Sequence, residues 1–193
     1  FLTVEMRKGG WPRKDNLVLQ GKTLGILGTG AIGAEMARLG NAIGMEVVAW
    51  TYNPSEQRAR ELGVTFKSLD EVLTESDVVS VHVKLTEDST HLIGADEFSK
   101  MKAGSIFLNG ARGAVADTAA LVEALDSGHL MGAGVDVFEE EPTPADHPLF
   151  TCDQAIVTPH CADMTPEGVD LLNGGAVDNV IAYLEGNPQN RVT

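Results

Sequence analysis

Short apolar runs alternate along the chain with longer segments in which apolar residues recur every three or four positions. The runs are rich in valine, isoleucine and leucine and lie between polar clusters, which is typical of strands buried in a parallel sheet. The longer segments have the period of helices that cover such a sheet. Strands are expected at residues 23–27, 46–51, 77–83, 105–109, 131–137 and 155–158. The alternation predicts an α/β fold: a doubly wound parallel sheet with helices on both faces.

Capping residues mark the starts of several predicted helices. Ser55 and Asp117 each precede a periodic segment, and Ser68 is followed by Glu71 in a capping-box pattern. Thr165 precedes a proline, the residue that best fits the first position of a helix. We therefore expect helices to begin directly after these capping positions.

Two of the helical segments carry apolar stripes. The stripe of the first segment is Ile32, Met36, Leu39 and Ile43, and that of the second is Val169, Leu172, Ala176, Val180 and Leu184. Because amphipathic helices bury such stripes, we expect the first helix to lie on the sheet through its stripe. Gly174 and Gly175 weaken the second helix, and we expect them to allow close packing against another element.

A glycine set lies between the first predicted strand and the helix that follows it. Gly28, Gly30 and Gly33 form a G-x-G-x-x-G pattern in a strand–turn–helix context. In this context the helix N-terminus faces the phosphates of a dinucleotide with free N–H groups and its positive dipole end. The sequence therefore predicts a Rossmann-like fold with a cofactor site in this turn. The predicted cofactor-binding residues of the turn are Gly28, Thr29, Gly30, Ala31, Ile32 and Gly33.

The end of the second predicted strand bears on the choice of cofactor. A carboxylate there binds the ribose 2′-hydroxyl of NAD and repels the 2′-phosphate of NADP. Thr51 takes this place, and residues 50–54 contain no acid, whereas Arg58 and Arg60 follow just downstream. We therefore expect NAD or NADP as the cofactor, with Thr51 beside its ribose and the preference left open.

Reactive side chains follow several strands at the edge where parallel sheets bind ligands. His82 lies at the end of one strand. It is expected either to contact the cofactor or, equally, to be a structural histidine. Arg112, Glu141 and His160 follow three later strands. An arginine fork binds a carboxylate through two hydrogen bonds, and a histidine beside a carboxylate can donate and accept a proton. This arrangement predicts acid–base catalysis beside a nicotinamide.

Composition narrows the classes of partner. The formal net charge of −14 argues against nucleic acid or an anionic membrane as a partner, and no apolar run is long enough to span a membrane. The two cysteines, Cys152 and Cys161, make no disulfide framework and no metal-ligand pattern, so we expect no metal and a cytoplasmic location. Since Cys161 follows His160 on a segment expected to be extended, we expect its thiol to be buried, inert and directed away from the histidine.

Three stretches of the chain resemble the signature sequences of the D-isomer-specific 2-hydroxyacid dehydrogenases. They are residues 109–117, 134–142 and 158–160, and the resemblance runs from about residue 21 to the end of the chain. It implies hydride transfer between NAD(P)H and C2 of a small 2-keto or 2-hydroxy acid of the glyoxylate, hydroxypyruvate or phosphoglycerate type. It also implies that the nucleotide-binding domains form a homodimer.

The resemblance assigns roles to individual residues. It implies that Arg112 binds the substrate, that His160 is the proton donor and acceptor, and that Glu141 is the partner of His160. It further implies cofactor contacts at Ala111, Asp136 and His160, with Asp136 on the nicotinamide carboxamide.

The extent of the resemblance sets expectations for the domains. Members of this family build a second, substrate-covering domain mostly from upstream residues. We expect residues 1–20 to be the tail of the interdomain helix and a loop, and residues 21–193 to be the dinucleotide-binding domain that carries the catalytic residues. Without the substrate domain, we expect cofactor binding with little activity. The alternative function is an NAD(H)-sensing corepressor module on the same fold.

Overall fold

The computed structural model describes residues 2–13 and 17–191. The predicted segments 1–20 and 21–193 thus include residues 1, 14–16, 192 and 193, which lie outside the described part. The strands are β1 (Thr23–Leu27), β2 (Glu46–Trp50), β3 (Thr65–Phe66), β4 (Val78–Val81), β5 (Ser105–Asn109), β6 (Leu130–Val135) and β7 (Ala155–Val157). They form one seven-stranded sheet in the order β3-β2-β1-β4-β5-β6-β7, and every neighbouring pair is parallel. The predicted doubly wound, Rossmann-like sheet is confirmed.

Helices connect the strands, and the four with predicted capping residues begin directly after them. They are α1 (Leu2–Arg7), α2 (Ala31–Ala42), α3 (Glu56–Leu62), α4 (Leu69–Glu75), α5 (Ala95–Lys100), α6 (Thr118–Asp126) and α7 (Pro166–Leu184). The side chains of Ser55, Ser68, Asp117 and Thr165 each accept a backbone N–H from the first turn of the helix that follows. The capping box of Ser68 and Glu71 is complete. These caps satisfy donors that helix starts otherwise leave unpaired.

The core lies on both faces of the sheet. Val47 and Val48 are neighbours in β2 but belong to different hydrophobic clusters, because successive side chains of a strand point to opposite faces. Val72 of α4 and Phe98 of α5 pack in the larger cluster, whereas Ala37 of α2 packs in the smaller one. Helices therefore cover both faces, as predicted.

The strands differ from the prediction at several places. β2 and β7 each end one residue early, β4 begins one residue late and β6 begins one residue early. β3 was not predicted, because the two residues Thr65 and Phe66 are too few to show a period. β4 ends at Val81 and β6 ends at Val135, both earlier than expected. In each case the next apolar residues belong to the connection that leaves the sheet. Apolar composition alone does not distinguish a strand from the loop that continues it.

α2 lies on the sheet as predicted, but of its apolar stripe only Met36 packs, partly buried, against the core, so the predicted contact face is wrong. Its buried positions are Gly33, Ala37 and Gly40, whereas Leu39 and Ile43 are exposed. A Cβ at position 33 would lie 2.0 Å from the carbonyl oxygen of Gly28, so α2 lies too close to the sheet for larger side chains at its contact face. Small residues make this contact, and the large apolar residues at 32, 39 and 43 face outward.

The close packing expected of α7 has no counterpart among the described residues and stays a prediction. Ala182 is its one buried residue. Leu172 and Leu184 are 68% and 76% exposed, and nothing lies within 4 Å of a Cβ built at Gly174 or Gly175. The helix therefore presents a long apolar surface that no described element covers.

None of the helices described here has the length and apolar character needed to cross a membrane.

Candidate active site

The glycine turn lies at the point where the direction of strand order reverses. Chain order runs outward from β1 to β2 and β3 on one side and continues with β4 on the other. The N–H of Gly28 donates to the carbonyl of Trp50 at 2.8 Å, and the N–H of His82 donates to that of Leu27 at 2.7 Å. Open parallel sheets bind ligands at such a switch point, outside the carboxyl ends of the strands. The glycine turn, Thr51 and His82 are therefore brought to one edge.

The three glycines of the turn are required for different reasons. Gly28 has a φ of +94°, and a Cβ on it would lie 2.8 Å from the carbonyl oxygen of His82. A Cβ on Gly33 would lie 2.0 Å from the carbonyl oxygen of Gly28. Gly30 is different, because nothing lies within 4 Å of its Cβ position and it caps α2 without a side-chain hydrogen bond. The open space beside the free N–H groups of α2 fits a phosphate group.

Replacing Gly30 with alanine should separate cofactor binding from folding. The new methyl group meets no protein atom but occupies the space where a pyrophosphate would approach the backbone. We expect the thermal unfolding midpoint to change little and the Kd of NAD(P)H to rise at least about tenfold, as for loss of a hydrogen bond to a charged group. Fluorescence titration and thermal unfolding measure the two effects. Gly174→Ala is the matched control, since it also adds a methyl group in open space, and it should leave cofactor binding unchanged.

His82 is both a bonded histidine and part of a cavity wall. Its Nε2 lies 2.9 Å from Oγ of Ser80, which is buried in β4. Burial lowers the pKa of the His82 imidazole and favours the neutral ring. His82, Ile32, Lys84 and Arg112 line one cavity of about 370 Å³. The two interpretations of His82 are therefore compatible, because the ring is anchored on one side and borders the cavity.

A buried asparagine fixes the turn that carries Arg112. Oδ1 of Asn109 accepts the N–H of Ala111 at 3.1 Å, and Nδ2 donates to the carbonyl of Arg112 at 3.1 Å. The guanidinium of Arg112 is exposed at the rim of the site, which is the edge where the carboxyl ends of the strands meet. Its Nη1 donates to the carbonyl of Ala111 at 2.6 Å. Sequence reasoning gave Asn109 no role of its own. The sequence does carry a sign of this role, because Asn109 is an amide at the last position of an apolar strand and a buried polar group needs hydrogen-bond partners.

His160 and Glu141 form the closest ion pair of the rim. Nδ1 of His160 lies 2.7 Å from Oε2 of Glu141, and Oε1 accepts the N–H of Phe138 at 2.9 Å. The hydrogen bond from His160 is the main cause that lowers the pKa of Glu141, and the Phe138 N–H adds to it. The carboxylate is thus held ionised and accepts only, so Nδ1 is the donor. Nε2 remains available to exchange a proton with a bound molecule.

Asp136 holds the turn on which His160 lies. Its Oδ1 accepts the hydroxyl of Thr158 at 2.5 Å and the N–H of Cys161 at 3.0 Å, and its Oδ2 accepts the N–H of Ala162 at 3.0 Å. Burial raises the pKa of Asp136, but these hydrogen bonds outweigh it, so that the pKa is lowered overall. His160 has a φ of +50°, a left-handed conformation that costs energy outside glycine. The contact of Asp136 with a nicotinamide stays a prediction, for which Oδ2 retains an accepting position.

The prediction for Cys161 needs correction. The left-handed backbone of His160 means that the segment is not extended, so the alternation expected for the two side chains does not apply. Cys161 is partly exposed rather than buried. Within residues 2–13 and 17–191, no group of three or more His, Cys, Asp or Glu side chains is arranged to hold a metal ion.

Comparison with known proteins adds independent evidence. Residues 2–162 match the model of a family described as D-isomer specific 2-hydroxyacid dehydrogenase, NAD binding domain. A glyoxylate reductase of Aeropyrum pernix is 42% identical, over 90% of this chain and 52% of its own length. A glycerate dehydrogenase of Methylorubrum extorquens is 39% identical, over 97% of this chain and 60% of its own length. The chain spans about half the length of the curated relatives it matches.

Solved structures share the fold as well. A glyoxylate reductase from Paecilomyes thermophila superposes with a TM-score of 0.87 at 37% identity, covering 95% of this chain and 56% of that one. A D-lactate dehydrogenase with NAD+ from Lactobacillus jensenii has a TM-score of 0.88 at 30% identity, covering 100% of this chain and 62% of that one. Both likenesses extend over nearly all of the chain.

Proposed function

Since the chain belongs to the D-isomer specific 2-hydroxyacid dehydrogenases, through their NAD-binding domain, we propose that it is the nucleotide-binding part of an oxidoreductase. The reaction is hydride transfer between NAD(P)H and C2 of a small 2-keto or 2-hydroxy acid. The 2.7 Å contact between His160 and Glu141, on the rim that also carries Arg112, is the observation that carries this proposal. Relatives named glyoxylate reductase, glycerate dehydrogenase and D-3-phosphoglycerate dehydrogenase support a substrate of that size and class.

Each rim residue has a chemical task in this reaction. The bound nicotinamide supplies the hydride, or accepts it in the reverse direction. Arg112 binds the substrate carboxylate through its planar fork of donors and so orients C2. His160 gives a proton from Nε2 to the oxygen on C2 during reduction and takes it back during oxidation. Glu141 stabilises the protonated imidazole and fixes its orientation through Nδ1.

We further propose that a substrate domain covers α7 and the rim. The apolar side chains of α7 are exposed, and monomeric soluble proteins rarely expose apolar surface on this scale. His160 and Glu141 also line a cavity of about 640 Å³ that is partly open to solvent. A covering domain would exclude water from the proton transfer and complete the substrate pocket.

A homodimer is proposed through the outer face of α2. Leu39 and Ile43 are 45% and 51% exposed there, although their spacing is that of a buried stripe. A second copy of the chain that packs on this face would bury both side chains. Light scattering tests this proposal, and a monomer at micromolar concentrations would contradict it.

We propose a cytoplasmic location and a small-molecule partner. Both Cys152 and Cys161 are free thiols, as is usual in a reducing compartment. The net charge of −14 disfavours nucleic acid. The remaining partners are the 2-keto or 2-hydroxy acid and the cofactor.

The function is tested in the complete protein by the loss of NAD(P)H absorbance with glyoxylate, hydroxypyruvate and 3-phosphohydroxypyruvate as oxidants. We expect turnover with at least one of them. Cofactor binding without turnover on any 2-keto acid would instead favour an NAD(H)-sensing corepressor module. Failure to bind either cofactor would contradict both functions.

A further inference from the structure

We propose that Arg58 makes this domain select NADP(H) by binding the 2′-phosphate of the cofactor. The inference rests on the proposed function, in that the glycine turn must hold a dinucleotide. It goes further by naming one form of the cofactor and the side chain that selects it.

The position of Arg58 is fixed next to the glycine turn. Arg58 lies in the first turn of α3, and its backbone N–H donates to Oγ of the capping Ser55 at 3.2 Å. Its Nη2 reaches across to donate to the backbone carbonyl of Thr29, the residue between Gly28 and Gly30. This contact joins residues that are 29 positions apart in the sequence. A guanidinium is thereby held at the edge of the turn, with most of its donors still available.

The end of β2 lacks the group that would favour NAD. Residues 50–55 contain no carboxylate, and the half-buried Thr51 stands where an acid would hold the ribose hydroxyls. An acid there would also repel a 2′-phosphate. Thr51 has no charge and therefore would not repel an anion bound by Arg58.

Arg58 lacks a counter-ion, unlike the other arginine of α3. Nη1 of Arg60 lies 3.6 Å from Oε2 of Glu56 in an exposed pair. Arg58 pairs with no carboxylate among the residues that the structure describes, although the chain carries 28 Asp and Glu against 14 Lys and Arg. An unpaired, partly buried guanidinium at the edge of a phosphate-binding turn is suited to a phosphate dianion.

The test compares four ligands on the chain and on three variants. NADPH and NADH are titrated by nicotinamide fluorescence, and adenosine 2′,5′-bisphosphate and AMP are titrated as competitors that differ only in the 2′-phosphate. Arg58→Met removes the charge and keeps the aliphatic stem, while Arg60→Met makes the same change on the solvent side of α3. Thr51→Asp places a carboxylate at the end of β2 and leaves Arg58 in place. Circular dichroism and thermal unfolding confirm that each variant is folded.

We expect the unchanged chain to bind NADPH at least about tenfold more tightly than NADH, which is the effect of one hydrogen bond to a charged group. Arg58→Met should raise the Kd of NADPH and of adenosine 2′,5′-bisphosphate roughly 10- to 100-fold. The Kd of NADH and of AMP should change less than about threefold. Arg60→Met should leave the Kd of all four ligands unchanged. Thr51→Asp should reverse the preference toward NADH.

Two results would overturn the inference and leave the proposed function intact. One is tighter binding of NADH than of NADPH by the unchanged chain. The other is that Arg58→Met loses affinity for NADPH and NADH equally while Thr51→Asp keeps the original preference between them. Arg58 would then only support the glycine turn. Failure of the unchanged chain to bind any of the four ligands would overturn the proposed function itself, and this inference with it.

Discussion

Replacing His160 with alanine in the complete protein is expected to lower kcat by about 10²–10⁴, the usual contribution of a positioned acid or base. The carboxylate of Glu141 orients the imidazole through Nδ1. The other ring nitrogen, Nε2, is available to the substrate. The Kd of NAD(P)H should change much less than kcat, because His160 is only one of the predicted cofactor contacts and the glycine turn lies on other strands. Steady-state kinetics and cofactor titration on the same preparation measure the two quantities.

His91 offers a matched control for this experiment. It also has a left-handed backbone, with a φ of +51°, and its Nε2 lies 3.8 Å from Oε1 of Glu139. It therefore shares the backbone strain and the acidic neighbour of His160, but it lines neither of the two cavities that border His160 and Arg112. His91→Ala should leave kcat within about twofold, since solvent-exposed pairs of this kind contribute little. Near-normal turnover in His160→Ala would eliminate the proposed proton donor.

Replacing Gly113 with alanine is expected to cause the largest loss of stability. A Cβ at this position would lie 2.0 Å from the carbonyl carbon of Phe138 and 2.3 Å from the backbone nitrogen of Glu139. Because both are backbone atoms, no side chain can rotate away. We expect a loss of about 3 kcal/mol or more, at the upper end of overpacking effects, and a fall of roughly 10 °C in the unfolding midpoint.

The same contact links stability to the site. Gly113 follows Arg112 directly, and Phe138 donates its N–H to Glu141, so the close approach joins the loops that carry Arg112 and Glu141, two of the three proposed catalytic residues. Gly110→Ala is the control within the same turn, because nothing lies within 4 Å of a Cβ there. It should unfold within about 2 °C of the unchanged protein, which corresponds to less than about 1 kcal/mol. Equal midpoints for the two variants would show that the two loops move apart freely.

The fold was largely predictable because its local signals agree with one another. Caps at Ser55, Ser68, Asp117 and Thr165 mark helix starts, and valine-rich runs mark the strands. The face on which α2 packs was not predictable by the same means. Periodicity identifies the large apolar residues of a helix, but the distance between helix and sheet decides whether they fit at the contact, and here small residues do.

The candidate site was predictable in its residue types but not in its contacts. Arg112, Glu141 and His160 follow strands, and the topology of a parallel sheet brings strand ends together. The hydrogen bonds that Asp136 accepts from the turn of His160 span up to 26 positions, and no local pattern encodes them. Only the folded structure distinguishes Arg58, which contacts the glycine turn, from Arg60, which pairs with Glu56.

The left-handed backbone at His160 restricts how this position can change over evolutionary time. Asparagine, aspartate and histidine are the residues other than glycine that adopt this conformation most readily, whereas branched side chains are excluded. A single-base change converts a histidine codon to an asparagine codon. Such a descendant would keep the turn but lose the proposed proton donor. On the proposed function, a protein that reduces its substrate and one that only binds the cofactor would therefore differ by one point mutation at this position.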